Sequence, residues 1–140
     1  MLNAIRFSAA IIFVAFVLTV PQTVFAADVP DIRQISPNIV LVRETVDDES
    51  STCFREYHCE DDNAAATRYF NQYAQLLIDA GFEIIDGEDM GEDLMIWGLI
   101  HPAKDVPVFQ FKLDTPVHVV IEQTGTLFQI WTAPGITCGD

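Results

Sequence analysis

One amphipathic helix followed by a run of short β-prone segments constrains this chain more than any other feature of its sequence. Ala66, Tyr69, Phe70, Tyr73, Leu76, Leu77 and Ala80 recur at helical spacing on one stripe, with Arg68, Gln72, Gln75 and Asp79 elsewhere. Asp61, Asp62 and Asn63 precede it. They offer side-chain oxygens to the first free N–H groups and set negative charge at the positive end of the helix dipole. Gly81 predicts a left-handed end to the helix, with Phe82 folding back onto the last turn. Burying the five large residues of the stripe contributes on the order of 10 kcal/mol before chain entropy is subtracted. Such a stripe needs an apolar surface to cover.

The remaining segments supply a sheet. Residues 38–46, N-I-V-L-V-R-E-T-V, read as a first strand rich in β-branched side chains. Residues 47–62 show no clear period and read as a polar loop closed by its cysteines. After the helix, 82–85 opens a meander, the acidic stretch 86–93 turns it, and 94–100, 108–113, 117–123 and 127–132 follow. In 108–113, Phe109, Phe111 and Leu113 alternate with Val108, Gln110 and Lys112, the period of a strand with one wetted face. Thr124-Gly125 predicts a tight hairpin between the last two strands. Short turns make sequential strands neighbours, and the helix must cover one face of what they form. The expected fold is α+β: one long helix packed across a curved antiparallel sheet of four to six strands. The arrangement resembles the cystatin-like one in topology only. The cystatin inhibitory motif Q-x-V-x-G does not occur, so the resemblance implies architecture and no function.

Residues 1–26 read as a secretory signal peptide, leaving 27–140 as a single α+β domain. Arg6 leads into an apolar run that Pro21 breaks, and V-F-A ends at Ala26. That run is about a dozen residues, short of the roughly 20 that a spanning helix needs. The expected location is therefore periplasmic or secreted, with no membrane insertion after cleavage. Losing Arg6 and no acid takes the formal charge from −14 to −15. Such a field repels nucleic acid and anionic membrane surfaces, and it speeds encounter with a cationic protein. The acids are clustered. Eight lie between Glu44 and Asp62 and seven between Asp79 and Asp93, so 15 of 21 occupy 34 residues.

Three cysteines follow the signal: Cys53, Cys59 and Cys138. In an oxidising compartment a disulfide is the default, and Cys53–Cys59 closes the smaller loop, with a bond from Cys138 to either as the rival. Cys53, His58 and Cys59 have metal-ligand chemistry, but C-x4-H-C matches no common zinc spacing and oxidation removes the thiolates, so no metal is expected there. D-G-E-D-M-G-E-D has the composition of a calcium loop, but Met90 and Trp97 stand where an EF-hand needs ligands. His101 and His118 are isolated in sequence, and Trp97 and Trp131 each fit either a core or an interface anchor.

No H-E-x-x-H, G-x-S-x-G or phosphate-binding glycine loop occurs, and the sequence points away from an enzyme, with no cofactor. The expected function is protein binding through Asp86, Glu88, Asp89, Glu92 and Asp93, an acidic hairpin suited to an Arg/Lys-lined cleft. Its partner would be a basic protein, such as a secreted or envelope-targeting enzyme that this chain inhibits in the manner of an immunity protein. The alternative is a small-ligand carrier with a cavity lined by Phe109, Phe111, Val119, Ile121, Phe128 and Ile130 between helix and sheet.

Overall fold

A computed structural model describes residues 29–47, 49, 51–91 and 93–136. Its element order is β1 (Ile39–Val46), β2 (Cys53–Cys59), α1 (Asn63–Asp79), β3 (Glu83–Asp89), β4 (Leu94–Ile100), β5 (Val119–Thr124) and β6 (Leu127–Thr132). The six strands form one open antiparallel sheet in the order β1-β2-β6-β5-β4-β3. The helix carries the chain from β2 to the far edge. The meander β3-β4-β5-β6 then walks back until β6 pairs with β2. This is the expected α+β arrangement of one helix on an antiparallel sheet.

The helix ends follow their local chemistry. Asp62 Oδ1 accepts from the Ala65 N–H at 2.9 Å. At the other end Gly81 takes φ +102°, the Gly81 N–H donates to Ile78 O and the Phe82 N–H to Leu77 O, which turns the chain and buries Phe82. The buried stripe of Ala66, Phe70, Tyr73, Ala74 and Leu77 meets Tyr57, Met95, Leu99, Val119, Ile121, Phe128 and Ile130 of the sheet. A 3-10 turn at Ile32–Gln34 caps one side of this core through Ile32, and Tyr73 Oη donates to Pro30 O at 2.7 Å.

Three sequence readings are corrected. Residues 53–59 are a strand and not part of a loop. Their inward phase runs Cys53, Arg55, Tyr57, Cys59, and the buried Arg55 interrupts the apolar period. Arg55 is held by Glu44 across the β1–β2 pair, with Nε 2.8 Å from Oε2. Residues 108–113 are not a strand: one isolated bridge joins Phe109 to Val117, and Lys112 at φ +65° breaks the extended run. The β5–β6 turn falls one residue later than expected, on Gly125 and Thr126, with Gly125 at φ +61°.

Residues 101–118 form a strap around one end of the sheet: Val106 packs against the helix-side core, and the later residues lie over the opposite face. Leu113 and Val117 pack there with Ile96 and Val120. Gly98 of β4 makes the approach possible, because a Cβ at that position would lie 2.8 Å from Leu113 Cδ1 and 2.9 Å from Val117 Cγ1. Two buried histidines clasp the strap. The His101 N–H donates to His118 Nδ1 at 3.0 Å. That leaves the His118 proton on Nε2, which faces Val106 O at 3.3 Å.

Candidate functional site

The sheet face away from the helix carries an aromatic row that the strap only partly covers. Strand alternation sends Phe54 of β2 and Trp131 of β6 to this face, and their register sets them side by side. Their rings lie 5.1 Å apart, centre to centre. Phe111 of the strap completes the row at 4.9 Å from Trp131 and stays 38% exposed. Below it runs a polar band: Glu56 pairs in register with Gln129, and Gln129 with Glu122. Arg43 of β1 reaches Glu56 Oε1 at 2.7 Å and lies 5.3 Å over the Phe54 ring. Lys112 reaches Glu122 Oε1 at 2.8 Å and lies 5.0 Å from the Trp131 ring centre.

Beside this row the β1–β2 hairpin rises as a wall. It closes through the Asp47 N–H to Thr52 O bond of 2.9 Å, with Ser51 at φ +61°. Between wall and rings lies a hollow of about 780 Å³ lined by Thr45, Val46, Asp47, Glu49, Thr52, Phe54 and Trp131. A second hollow, of about 320 Å³, shares Asp47, Thr52 and Trp131 and continues to Phe109, Gln110 and Phe111. Together they make one groove with an aromatic floor and carboxylates on the rim.

Of the five acids expected to form one docking tip, the four that are described do not sit together. Asp86, Glu88 and Asp89 belong to β3, an edge strand, and the turn proper begins after Asp89. Asp86 is turned toward the strap: it accepts from the Gly87 N–H at 2.8 Å and the Thr115 N–H at 3.3 Å. The Thr115 hydroxyl, then the Gly87 N–H, hold its carboxyl below the usual carboxylate range. Asp93 points toward the helix start, accepting from Asn63 Nδ2 at 3.1 Å beside a hollow of about 540 Å³ lined by Asn63, Ala64, Thr67 and Asp93. Glu88 and Asp89 are exposed on the edge, and Glu92 lies outside the described residues. Charge on an edge strand also blocks unwanted strand pairing, which is sufficient reason for its composition.

The Cys53–Cys59 disulfide is not formed: Cys59 is a free thiol, buried against the helix. The reason is the strand itself. Six steps of extended chain separate the two Cα atoms by roughly 20 Å, whereas a disulfide needs them within about 7 Å. Burial pushes the Cys59 thiol up from its ordinary value. Cys138 lies outside the described residues. His58 points to the face opposite Cys53 and Cys59, and no group of three His, Cys, Asp or Glu among the described residues is placed to hold a metal ion.

The residues suggested to line a small-ligand cavity lie on both faces of the sheet. Val119, Ile121 and Phe128 are 0% exposed beneath the helix, which leaves no water-sized gap at their side chains. Phe111 stands on the other side of the sheet against Trp131. The sequence left Trp131 open between the core and an interface anchor, and the structure sets it on the open face. Its neighbours were not legible in the sequence, because Phe54 and Phe111 reach it from separate segments and Asp47 lines the same hollow from a third.

No family model, no curated protein and no solved structure matches this chain.

Proposed function

We propose that this chain is an exported acidic module that binds a basic protein, and that it acts as an inhibitor or immunity-type antagonist of a cationic, envelope-targeting enzyme. One observation supports this most directly. Four of the six basic residues after residue 26 are already held by the chain's own carboxylates, as Arg33–Asp31, Arg43–Glu56, Arg55–Glu44 and Lys112–Glu122. With 21 acids in the sequence, the fold keeps a large negative surplus facing outward. Surplus charge of one sign raises the encounter rate with an oppositely charged partner and falls in effect with added salt.

Export belongs to the same reading, with residues 1–26 removed as a signal. It would also allow Cys53 to pair with Cys138. Among the described residues Cys59 is a free thiol and Cys53 is not.

The test uses the mature protein as bait on envelope and secreted fractions, followed by assay of the captured enzyme's activity. A cationic enzyme that is held and inhibited at about 50 mM salt, and released at about 500 mM, supports the proposal. Binding that is indifferent to salt, or a captured enzyme that stays fully active, overturns it.

A further inference from the structure

We propose that the groove over Trp131 seats a lysine or arginine side chain of the partner protein, carried on a segment with an apolar residue next to it. This rests on the acidic-module reading and gives it an address different from the β3–β4 edge.

Cation, ring and carboxylate form a repeated arrangement here, with further carboxylates beside the same rings. Along the open face a cation lies over an aromatic ring while a carboxylate holds it. Arg43 sits 5.3 Å over Phe54 and 2.7 Å from Glu56. Lys112 sits 5.0 Å from the Trp131 ring and 5.7 Å from Phe111, and 2.8 Å from Glu122. Both combine the ring quadrupole with a formal negative charge, and each strengthens the other because both favour the same positive centre. At the hairpin side of the groove, Asp47 and Glu49 line the same hollow as Phe54 and Trp131. Among the described residues Glu49 makes no ion pair. These carboxylates add negative charge beside the same two rings that Arg43 and Lys112 flank, on the side of the groove that stays open.

The dimensions suit a protein side chain. A hollow of about 780 Å³ exceeds what one lysine or arginine occupies, and the adjoining hollow of about 320 Å³ is floored by Phe109 and Phe111. Val46, 57% exposed at the lip, adds apolar surface beside the carboxylates. A basic residue followed by an apolar one fits that sequence of surfaces. An anionic ligand would meet Asp47 and Glu49 at the rim and be repelled.

The test is a titration of the labelled mature protein with four probes, read by NMR at the Trp131 indole N–H and at the Glu49 amide. The probes are acetylated hexalysine, an acetylated alternating Lys-Leu hexapeptide, hexaglutamate and maltohexaose. The expected result is a saturable, salt-sensitive shift of both signals by the two basic peptides, tighter with the Lys-Leu peptide. Glu49→Gln should weaken that binding about two- to fivefold, the size of one exposed charge contact. The paired change Glu88→Gln with Asp89→Asn should leave it unaltered. Basic peptides that shift β3 signals, with Glu49→Gln silent, overturn the groove and leave the acidic-module reading standing. Equal shifts of Trp131 by maltohexaose or hexaglutamate overturn the cation and assign the groove to another ligand. No basic-peptide shift anywhere, even at low salt, overturns both.

Discussion

The two faces of this sheet are built from the same strands and have opposite characters. Toward the helix, Tyr57, Leu99, Ile121 and Phe128 are sealed against Phe70, Tyr73 and Leu77 in one continuous cluster. Toward the strap, Ile96, Val120, Leu113 and Val117 form a small separate cluster, and the rest of the face is a band of ion pairs beside a half-open aromatic row. Alternation at period two lets each strand serve both ends at once. Tyr57 is core while Phe54 and Glu56 beside it are surface chemistry, and Ile130 is core while Trp131 is groove floor. Core packing and the open groove are therefore separable in this chain by residue parity, and substitutions can test the separation.

The largest effect is expected at Phe128. It is fully buried and stacks with Phe70 at 6.1 Å, so Phe128→Ala should cost about 3–5 kcal/mol in urea unfolding. Phe111→Ala, on the open face, should cost well under that, about 0.5 kcal/mol or less, while removing floor from the groove. Similar losses at both positions would mean that the open face is part of the core.

Gly98→Val tests whether the strap depends on a bare strand beneath it. The first added carbon would stand 2.8 Å from Leu113 and 2.9 Å from Val117, closer than ordinary contact allows. A loss of up to about 3 kcal/mol is expected. Faster amide exchange should follow at Phe109 and Val117, whose mutual hydrogen bonds of 2.9 and 2.8 Å close the strap. Unchanged exchange there would show that strap and sheet adjust independently.

The histidine clasp should matter less. His118→Phe keeps an aromatic ring in a buried site but leaves the His101 N–H without its acceptor. An orphaned buried donor costs about 1–2 kcal/mol. Denaturant unfolding measures this, and His118→Phe in a Gly98→Val background separates the two contributions. A strictly additive pair would mean that clasp and packing hold different parts of the strap.

How far the sequence foretold these faces depended on whether a signal lay within one segment. The helix was readable from its own period, and β1, β4, β5 and β6 from apolar, β-prone runs set off by turns, while Gly81 and Asp62 mark the helix ends by local chemistry. β2 was hidden because its inward phase includes Arg55, whose burial makes sense only once Glu44 faces it from another strand. Residues 108–113 misled in the opposite sense. Their alternation is real, but Phe109 and Phe111 divide between strap packing and the aromatic row rather than a ladder. Of the groove, Trp131 and the acids Asp47 and Glu49 were visible separately. Their meeting is a property of sheet order, because β6 reaches β2 only after the meander has crossed the whole sheet.

The smallest effect expected here concerns a junction at the helix start rather than either face. Asp61 accepts from Tyr69 Oη at 2.7 Å and from Asn38 Nδ2 at 3.1 Å, tying the start of β1 to the first turns of α1. Tyr69 first and Asn38 second hold its carboxyl below the ordinary carboxylate value. A group depressed in the folded state contributes stability that is present above the unfolded pKa, near 3.8, and is lost as the pH falls through the folded one. Tyr69→Phe removes the leading donor, so the variant should be less stable than the parent at neutral pH, and the two should converge as the pH drops below about 4. Urea unfolding of both proteins at about pH 7 and about pH 3 measures the difference at each end. A gap of the same size at both would mean that the hydroxyl packs and bonds without favouring the ionised carboxylate. A gap that closes in acid assigns it to the charge on Asp61, and makes the junction an acid-sensitive joint apart from both faces.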